Sequence, residues 1–359
     1  MTIYFIAYGI LIFMYCAEKI QHHSDAKKKL TISFFIIFTI MLGFRHPSMG
    51  VDLGYGRYYG YLASFEQISK MSWKEVLELN SFLNYEKGYV IYNKVLGLIS
   101  KDPQILLFVT ALISLFLIAA TFYKLGDNRN ILMIIIIYTA LPCFLIQFSG
   151  LRQSIAISIC VFSLRFIEEK RIKTFLSLIL IAACFHTTAL FFVASYFAYW
   201  LPIKRKWRMS TLGILVIVFL FRTPLFRIAV RVLGKNTVAD QNGAINLFLI
   251  FVCIYLFCSL FEKNNEKING YMNIYFIACV CQAFSGVYSS AIRMGYYFMT
   301  ALPFLLPQAI NNIEDFRQRQ IFKFLIHGCF LSFGLYTLSS KGSWAMSNPY
   351  HFFWQNIYG

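Results

Sequence analysis

Apolar runs long enough to lie in a membrane recur from residue 2 to residue 339 of this 359-residue chain. A water-soluble fold of this length does not carry so many. The expected architecture is therefore all-α, a polytopic transmembrane helical bundle of ten to twelve spans or half-spans. The runs are 2–17, 30–44, 103–123, 130–147, 153–168, 174–185, 187–201, 209–221, 244–261, 271–286, 291–309 and 321–339. Charged residues make up only 14% of the chain, and no polar stretch is long enough for a soluble domain. Residues 1–359 thus read as a single integral membrane domain. The first run, Ile3 to Tyr15, lacks a basic leader and a small-residue cleavage site and reads as a retained helix.

The formal charge of +17 does not point to nucleic acid. The basic residues sit in short clusters between apolar runs: Lys27-Lys28-Lys29, Lys170-Arg171 with Lys173, Lys204-Arg205-Lys206 with Arg208, and Arg317 with Arg319. That is the positive-inside pattern of a plasma-membrane protein. With these clusters inside, both termini lie outside. Most of the nine cysteines fall inside apolar runs, none in a CxxC pair or at metal-ligand spacing with histidine. They read as small buried hydrophobes, and no metal site is expected.

Thr174 to Leu201 is apolar except for His186-Thr187-Thr188 at its middle, and basic residues flank it on both sides. A single span would put one basic cluster outside. Two short helices meeting at His186 keep both inside. A 12-residue helix is about 18 Å long, against a hydrocarbon core of about 30 Å. His186 is then expected below the outer surface, in a protein-lined pocket, where broken helices are tolerated.

The longest stretch between runs that carries charge, residues 46–85, balances three basic residues against four acidic ones and reads as an external loop with amphipathic segments. Its glycines alternate with Tyr55, Tyr58, Tyr59 and Tyr61. Such tyrosines suit a membrane–water boundary and also suit stacking on sugar faces. Residues 222–243, with Arg227 and Arg231 four apart among apolar side chains, read as an external interfacial helix.

Arg45, Arg152, His186 and Arg293 interrupt or close apolar runs, where charge is costly and marks a site that handles something charged. Three guanidiniums and an imidazole suit an anionic substrate. Ser149 is the expected N-cap that puts Arg152 in the first turn of a helix. Ser289-Ser290 repeat the arrangement ahead of Arg293. Backbone N–H groups at such helix starts favour an anion, and a guanidinium adds bidentate bonds to phosphate oxygens. Either arginine could instead snorkel or join a structural ion pair. His186 could be a general base, a donor to a leaving phosphate, or a core residue whose tautomer the two threonines fix. Asp52 and Glu86 could each accept a proton from a sugar hydroxyl or orient it. They could equally pair with Arg45 or Arg57. No Walker, GxSxG or HExxH motif is present, which argues against cytoplasmic nucleotide chemistry.

The order of these pieces is informative. Arg45 precedes Gly50-Val51-Asp52 and the tyrosine-rich loop; Glu86-Lys87-Gly88-Tyr89 follows. Then come Leu151-Arg152-Gln153-Ser-Ile-Ala, Ala183-Cys-Phe-His186-Thr-Thr-Ala and Ile292-Arg293-Met-Gly-Tyr-Tyr-Phe. Together they resemble the EpsG family of Wzy-like membrane proteins from bacterial exopolysaccharide, capsule and O-antigen clusters. The resemblance implies a GT-C-like, multi-pass protein of the bacterial plasma (inner) membrane. It implies a metal-independent glycosyltransferase without cofactors that transfers a growing glycan from undecaprenyl pyrophosphate to a lipid-linked repeat unit. Arg152, Arg293 and Arg45 would then hold pyrophosphate, and Asp52, Glu86 or His186 would activate the acceptor. Tyr55, Tyr58 and Gln153 would touch sugar. The implied partners are the undecaprenyl-pyrophosphate-linked oligosaccharide, membrane lipids, a flippase and a chain-length regulator. The rival readings are a lipid-linked oligosaccharide flippase and an O-antigen ligase. A flippase needs internal repeats and charges through the depth of a pathway; a ligase differs only in the acceptor.

Overall fold

Hydropathy sets where the helices form, and prolines and turn residues set where they break. The computed structural model describes residues 2–20, 25–78, 85–203, 205–232, 245–263, 265–340 and 345–356. Residues 21–24, Lys204 of the basic cluster, and the parts of the two expected external segments at 79–84 and 233–243 lie outside the described residues.

The chain opens with α1 (Thr2–Ile20) and α2 (Ala26–Gly43). The loop after α2 leads into two short amphipathic helices, α3 (Tyr61–Lys70) and α4 (Trp73–Glu78). Next come α5 (Lys87–Ile99), α6 (Gln104–Leu125), α7 (Ile131–Ala140), α8 (Pro142–Ser149), α9 (Leu151–Glu168) and α10 (Ile172–Ala183). A 3-10 segment over Thr187–Val193 runs into α11 (Ala194–Tyr199). The remainder is α12 (Arg205–Leu220), α13 (Arg222–Val232), α14 (Ile245–Leu260), α15 (Glu266–Ala283), α16 (Ser289–Met299), α17 (Leu302–Asn311) and α18 (Phe316–Ser339). Among the described residues there is no strand, only an isolated bridge between Arg45 and Phe352. The protein is an all-α, polytopic helical bundle.

Among the described residues, three helices are long and apolar enough to cross a membrane: α1, α6 and α18. Two bent pairs raise the number to five if each is one span: α7 with α8, bent by 57°, and Lys206–Leu220 with Arg222–Ile228, bent by 74°. The ten to twelve expected took in half-spans, and several of the apolar runs are broken into such shorter helices. Pro142 ends the run at 130–147: it forces Leu141 into extended backbone (φ −83°, ψ 151°) and starts a new helix. The run at 291–309 divides likewise between α16 and α17. Ile172–Ala183, Thr187–Tyr199 and Asn246–Leu260 are apolar but too short for a simple crossing. Large apolar side chains such as Phe13, Phe116 and Phe324 face outward. Outward apolar faces on apolar helices are explained by lipid rather than water.

The chain divides into two compact units. One comprises Met1–Leu190 and Ile326–Gly359; the other comprises Phe191–Leu325. In the first, α6 packs on α2 and α9, α10 packs on α9, and α3 packs on α5. Leu53, Tyr61, Leu62, Phe65, Tyr89, Leu106 and Leu151 belong to one buried cluster that joins the 46–60 loop to these helices. In the second unit, α15 packs on α11, α14, α16 and α17. At its centre Arg208 is fully enclosed. Its guanidinium donates to Glu262 (Nε–Oε2 3.0 Å), to Asn273 Oδ1 at 2.7 Å and to the Tyr255 hydroxyl at 3.4 Å. Arg208 is thus a core residue and not the solvated topology signal expected of that basic cluster. Helix α13 fills the first part of the expected 222–243 segment, with Arg227 and Arg231 exposed and Phe226 buried.

Candidate active site at the His186 helix break

The break expected at His186 is present: α10 ends at Ala183 and the 3-10 segment starts at Thr187. His186 follows a tight turn in which its own N–H and that of Phe185 both reach the carbonyl of Ala182. The N-terminus of α5 comes up against this turn. A Cβ on Gly88 would sit 2.5 Å from the carbonyl oxygen of Cys184, so only glycine allows the approach. Glu86, the N-cap of α5, holds extended backbone and makes no side-chain cap bond. Its carboxylate reaches across the break instead.

That carboxylate collects the site. Oε2 accepts from Arg152 Nη1 at 2.5 Å. Oε1 accepts from His186 Nδ1 at 3.2 Å, from the Thr187 backbone N–H at 2.9 Å and from the Thr187 hydroxyl at 3.4 Å. Burial by itself raises the pKa of Glu86. The His186 and Thr187 hydrogen bonds and the charge of Arg152 outweigh it and hold the carboxyl down to about 2. An ionised carboxylate can only accept. Nδ1 of His186 therefore carries a proton, and in the neutral ring Nε2 is the basic nitrogen. Glu86, not the two threonines, fixes the tautomer.

Arg152 lies in the first turn of α9, as expected, but the N-cap is Gly150. Ser149 ends α8, and its hydroxyl accepts from the Val51 N–H at 3.2 Å, tying the Asp52 loop to this corner. The guanidinium of Arg152 lies 4.4 Å from the centre of the Tyr85 ring and 6.0 Å from that of Tyr61. The two rings stack with centroids 5.6 Å apart, and Arg152 Nε donates to the Tyr61 hydroxyl at 3.4 Å. Asp52 is half-buried nearby. Burial raises the phenol pKa of both tyrosines, and the Asp52 charge adds to it. The site stays partly open: the side chains of Arg152, Glu86 and His186 are 18%, 12% and 20% exposed.

The other expected residues of the first unit lie outside this cluster. Arg45, expected among the pyrophosphate contacts, is only 1% exposed. It donates to the carbonyls of Leu42 and Met49, and to those of Gln147 and Phe148 in the last turn of α8. Helix ends leave such carbonyls without intrahelical partners, and a buried guanidinium satisfies several at once. Arg45 caps α2 and α8 and is enclosed away from a ligand. Gln153 is buried, Tyr58 is fully exposed and Tyr55 is 39% exposed. Arg293 belongs to the second unit and is exposed, in the second turn of α16 rather than the first. Sequence reasoning did not single out Tyr85 or Gly88 for this site, and it named Tyr61 only among the loop tyrosines and Thr187 only as a partner of His186. Tyr85 and Gly88 flank Glu86, and Thr187 follows His186. Among the described residues no group of three His, Cys, Asp or Glu could hold a metal ion.

The family model for EpsG matches residues 28–352, most of the chain and all of this site. The chain belongs to the EpsG family. This is a family of Wzy-like polysaccharide polymerases. Membership supports a polysaccharide-polymerase type of role in a bacterial membrane, of glycosyltransferase-like character. No curated protein and no solved structure matches the chain.

Proposed function

We propose that this EpsG-family protein is a metal-independent polymerase that acts at the outer face of the plasma membrane. It transfers a growing glycan from undecaprenyl pyrophosphate to the next lipid-linked repeat unit. The observation that carries this reading is the Glu86 carboxylate, with one oxygen on Arg152 and the other on His186 at a helix break.

His186 Nε2 takes the proton from the acceptor hydroxyl as its oxygen attacks the anomeric carbon. Glu86, too weak a base at a pKa of about 2 to compete for that proton, orients the imidazole and stabilises the imidazolium that forms. The bond from the anomeric carbon to the pyrophosphate oxygen breaks, and pyrophosphate leaves with the electron pair. Arg152, already aligned by the tyrosine pair, neutralises the charge that develops on it. Asp52 orients the acceptor. Arg293 is proposed as an anion contact of the second unit. A guanidinium balances the leaving-group charge here, so the chemistry asks no metal and no nucleotide of the protein.

Purified protein with lipid-linked repeat units tests the reading. Polymer is expected to form in excess EDTA, and His186→Ala is expected to remove it with the protein still folded. Abolition by EDTA that added magnesium reverses would overturn the metal-free chemistry. Full activity in His186→Gln would remove the base. In cells, deleting the gene is expected to collapse the surface-glycan ladder to one repeat unit. An unattached full-length polymer would instead mean a ligase.

A further inference from the structure

A second concavity lies on the other side of α3 from Arg152. It encloses about 360 Å³, within the lower part of the range of ligand pockets. Its walls come from the glycine-rich loop, from one face of α3 and from the start of α6. The chemistry-bearing side chains in it are Tyr55, Arg57, Glu66 and Asp102, with Leu62 and Ala63 beneath them.

Each wall is held. The Tyr55 ring packs edge-on against His46, with centroids 5.0 Å apart, and remains 39% exposed. Gly54 turns the loop with φ +72°, and a Cβ there would lie 1.9 Å from the carbonyl oxygen of Tyr59. Arg57 donates to the Tyr59 hydroxyl at 3.0 Å. Asp102 accepts from the Gln104 N–H at 2.9 Å, and Gln104 in turn donates to the carbonyls of Gly43 and Arg45. The cleft is therefore anchored to the same Arg45 corner that caps α2 and α8.

We propose that this cleft binds an uncharged sugar residue of the glycan, away from the reacting bond. A pyranose presents hydroxyls around a face of C–H groups. Glu66 and Asp102 offer acceptors for the hydroxyls, and the Tyr55 ring offers a partner for the face. Two carboxylates against one guanidinium disfavour a uronic acid or a phosphorylated sugar. The first turn of α3 links this cleft to the proposed reaction centre. Tyr61 holds Arg152 Nε at 3.4 Å, while Leu62, Ala63 and Glu66 line the cleft on the helix's other side. The separation is about one helix diameter, roughly 10 Å. The identity of the glycan rests on the polymerase reading; the recognition chemistry does not.

The test uses the full-length protein in lipid nanodiscs. The probe is a set of oligosaccharides released by mild acid from the surface polysaccharide of the source cell. Their binding is measured by saturation-transfer NMR and calorimetry. Two variants are compared, the double variant Glu66→Gln with Asp102→Asn, and Ala63→Trp, which adds bulk to the cleft and keeps all of its polar side chains. Both are expected to weaken binding at least tenfold. In polymerisation both are expected to raise KM for the lipid-linked repeat unit about tenfold and leave kcat within twofold. Binding equal in wild type and both variants, or no binding by wild type, overturns the cleft proposal. If wild type polymerises normally in that case, the polymerase reading stands. Wild type that binds the fragments in a variant-sensitive way but makes no polymer supports the cleft and overturns the polymerase reading instead.

Discussion

The two units each hold an arginine–glutamate pair, and the pairs differ in what surrounds them. Arg208 and Glu262 are 1% and 2% exposed, and the guanidinium also donates to Tyr255, Asn269 and Asn273 of the same unit. Arg152 and Glu86 are 18% and 12% exposed, with His186 and the exposed Thr187 on the far carboxylate oxygen. The first pair has no route to a ligand and serves packing. The second keeps one edge open and couples its carboxylate to a titratable ring. An ion pair in an apolar chain is thus not by itself a mark of chemistry. Exposure and the company it keeps decide which role it has.

The largest expected effect would break the sealed pair. Arg208→Ala leaves Glu262 charged and enclosed, a loss of about 3–5 kcal/mol of stability. Thermal unfolding in detergent, read alongside protein yield, checks this. Arg152→Ala, treated identically, is expected to keep its melting temperature within a few degrees. Equal losses in both would erase the distinction between the pairs. Next in size is Arg152→Lys, which keeps the charge but not the planar fork. It is expected to cost about 2–4 kcal/mol in the transition state of polymerisation and little in folding. Near-normal polymer length in that variant would make Arg152 a second structural arginine.

The residues of the open pair were legible in sequence because charge is rare in this chain and costly where it occurs. Their pairing was not. Glu86 is 66 residues from Arg152 and 100 from His186, and nothing in composition or spacing chooses Arg152 over Arg45 or Arg57 as its partner. The same blindness hid the opposite cases. A basic cluster beside an apolar run reads as a topology signal whether its arginine faces headgroups or, like Arg208, turns into a core. Arg45 looked like a ligand contact because a helix end that needs capping leaves no mark in sequence beyond the end itself. The break at His186 was readable from its basic flanks. The break at Pro142 was readable from the proline, but the apolar run on both sides masked it as one span.

A smaller effect sharpens how the open pair is assembled. Gly88→Ala would gain helix propensity on α5, worth up to about 1 kcal/mol. It would also drive a methyl into the backbone of Cys184 at the helix break. Overpacking of this kind costs about 1–3 kcal/mol, so net stability is expected to fall by about 2 kcal/mol at most where the propensity gain is full. The displacement acts on Glu86, two residues away, and lengthens its contact with His186. Polymerisation is expected to drop about tenfold, equivalent to roughly 1.4 kcal/mol. The comparison of turnover with melting temperature in the one variant separates the effects. Unchanged turnover would mean that Glu86 finds His186 without the close approach of α5.

The smallest effect is the pH dependence of the open pair, and its sign follows from Glu86. An unperturbed carboxyl of this type titrates near 4.5, and the folded protein holds Glu86 at about 2. The unfolded chain therefore takes up this proton first as the solution is acidified. The stabilisation that Arg152, His186 and Thr187 give the carboxylate is complete above pH 4.5 and is lost as pH falls from 4.5 towards 2. The site is partly open to water, so screening limits the effect to about 1 kcal/mol or less. Melting temperatures of the wild type and Glu86→Gln, measured in detergent from about pH 7 down to about pH 3, supply the test. Wild type is expected to be the more stable at neutral pH, by a constant margin that begins to close below pH 4.5. A margin that stays constant to pH 3 would mean that these partners do not hold the carboxylate. A margin that widens in acid would mean that Glu86 is protonated in the folded protein, and the assignment of the basic nitrogen to His186 Nε2 would fall with it.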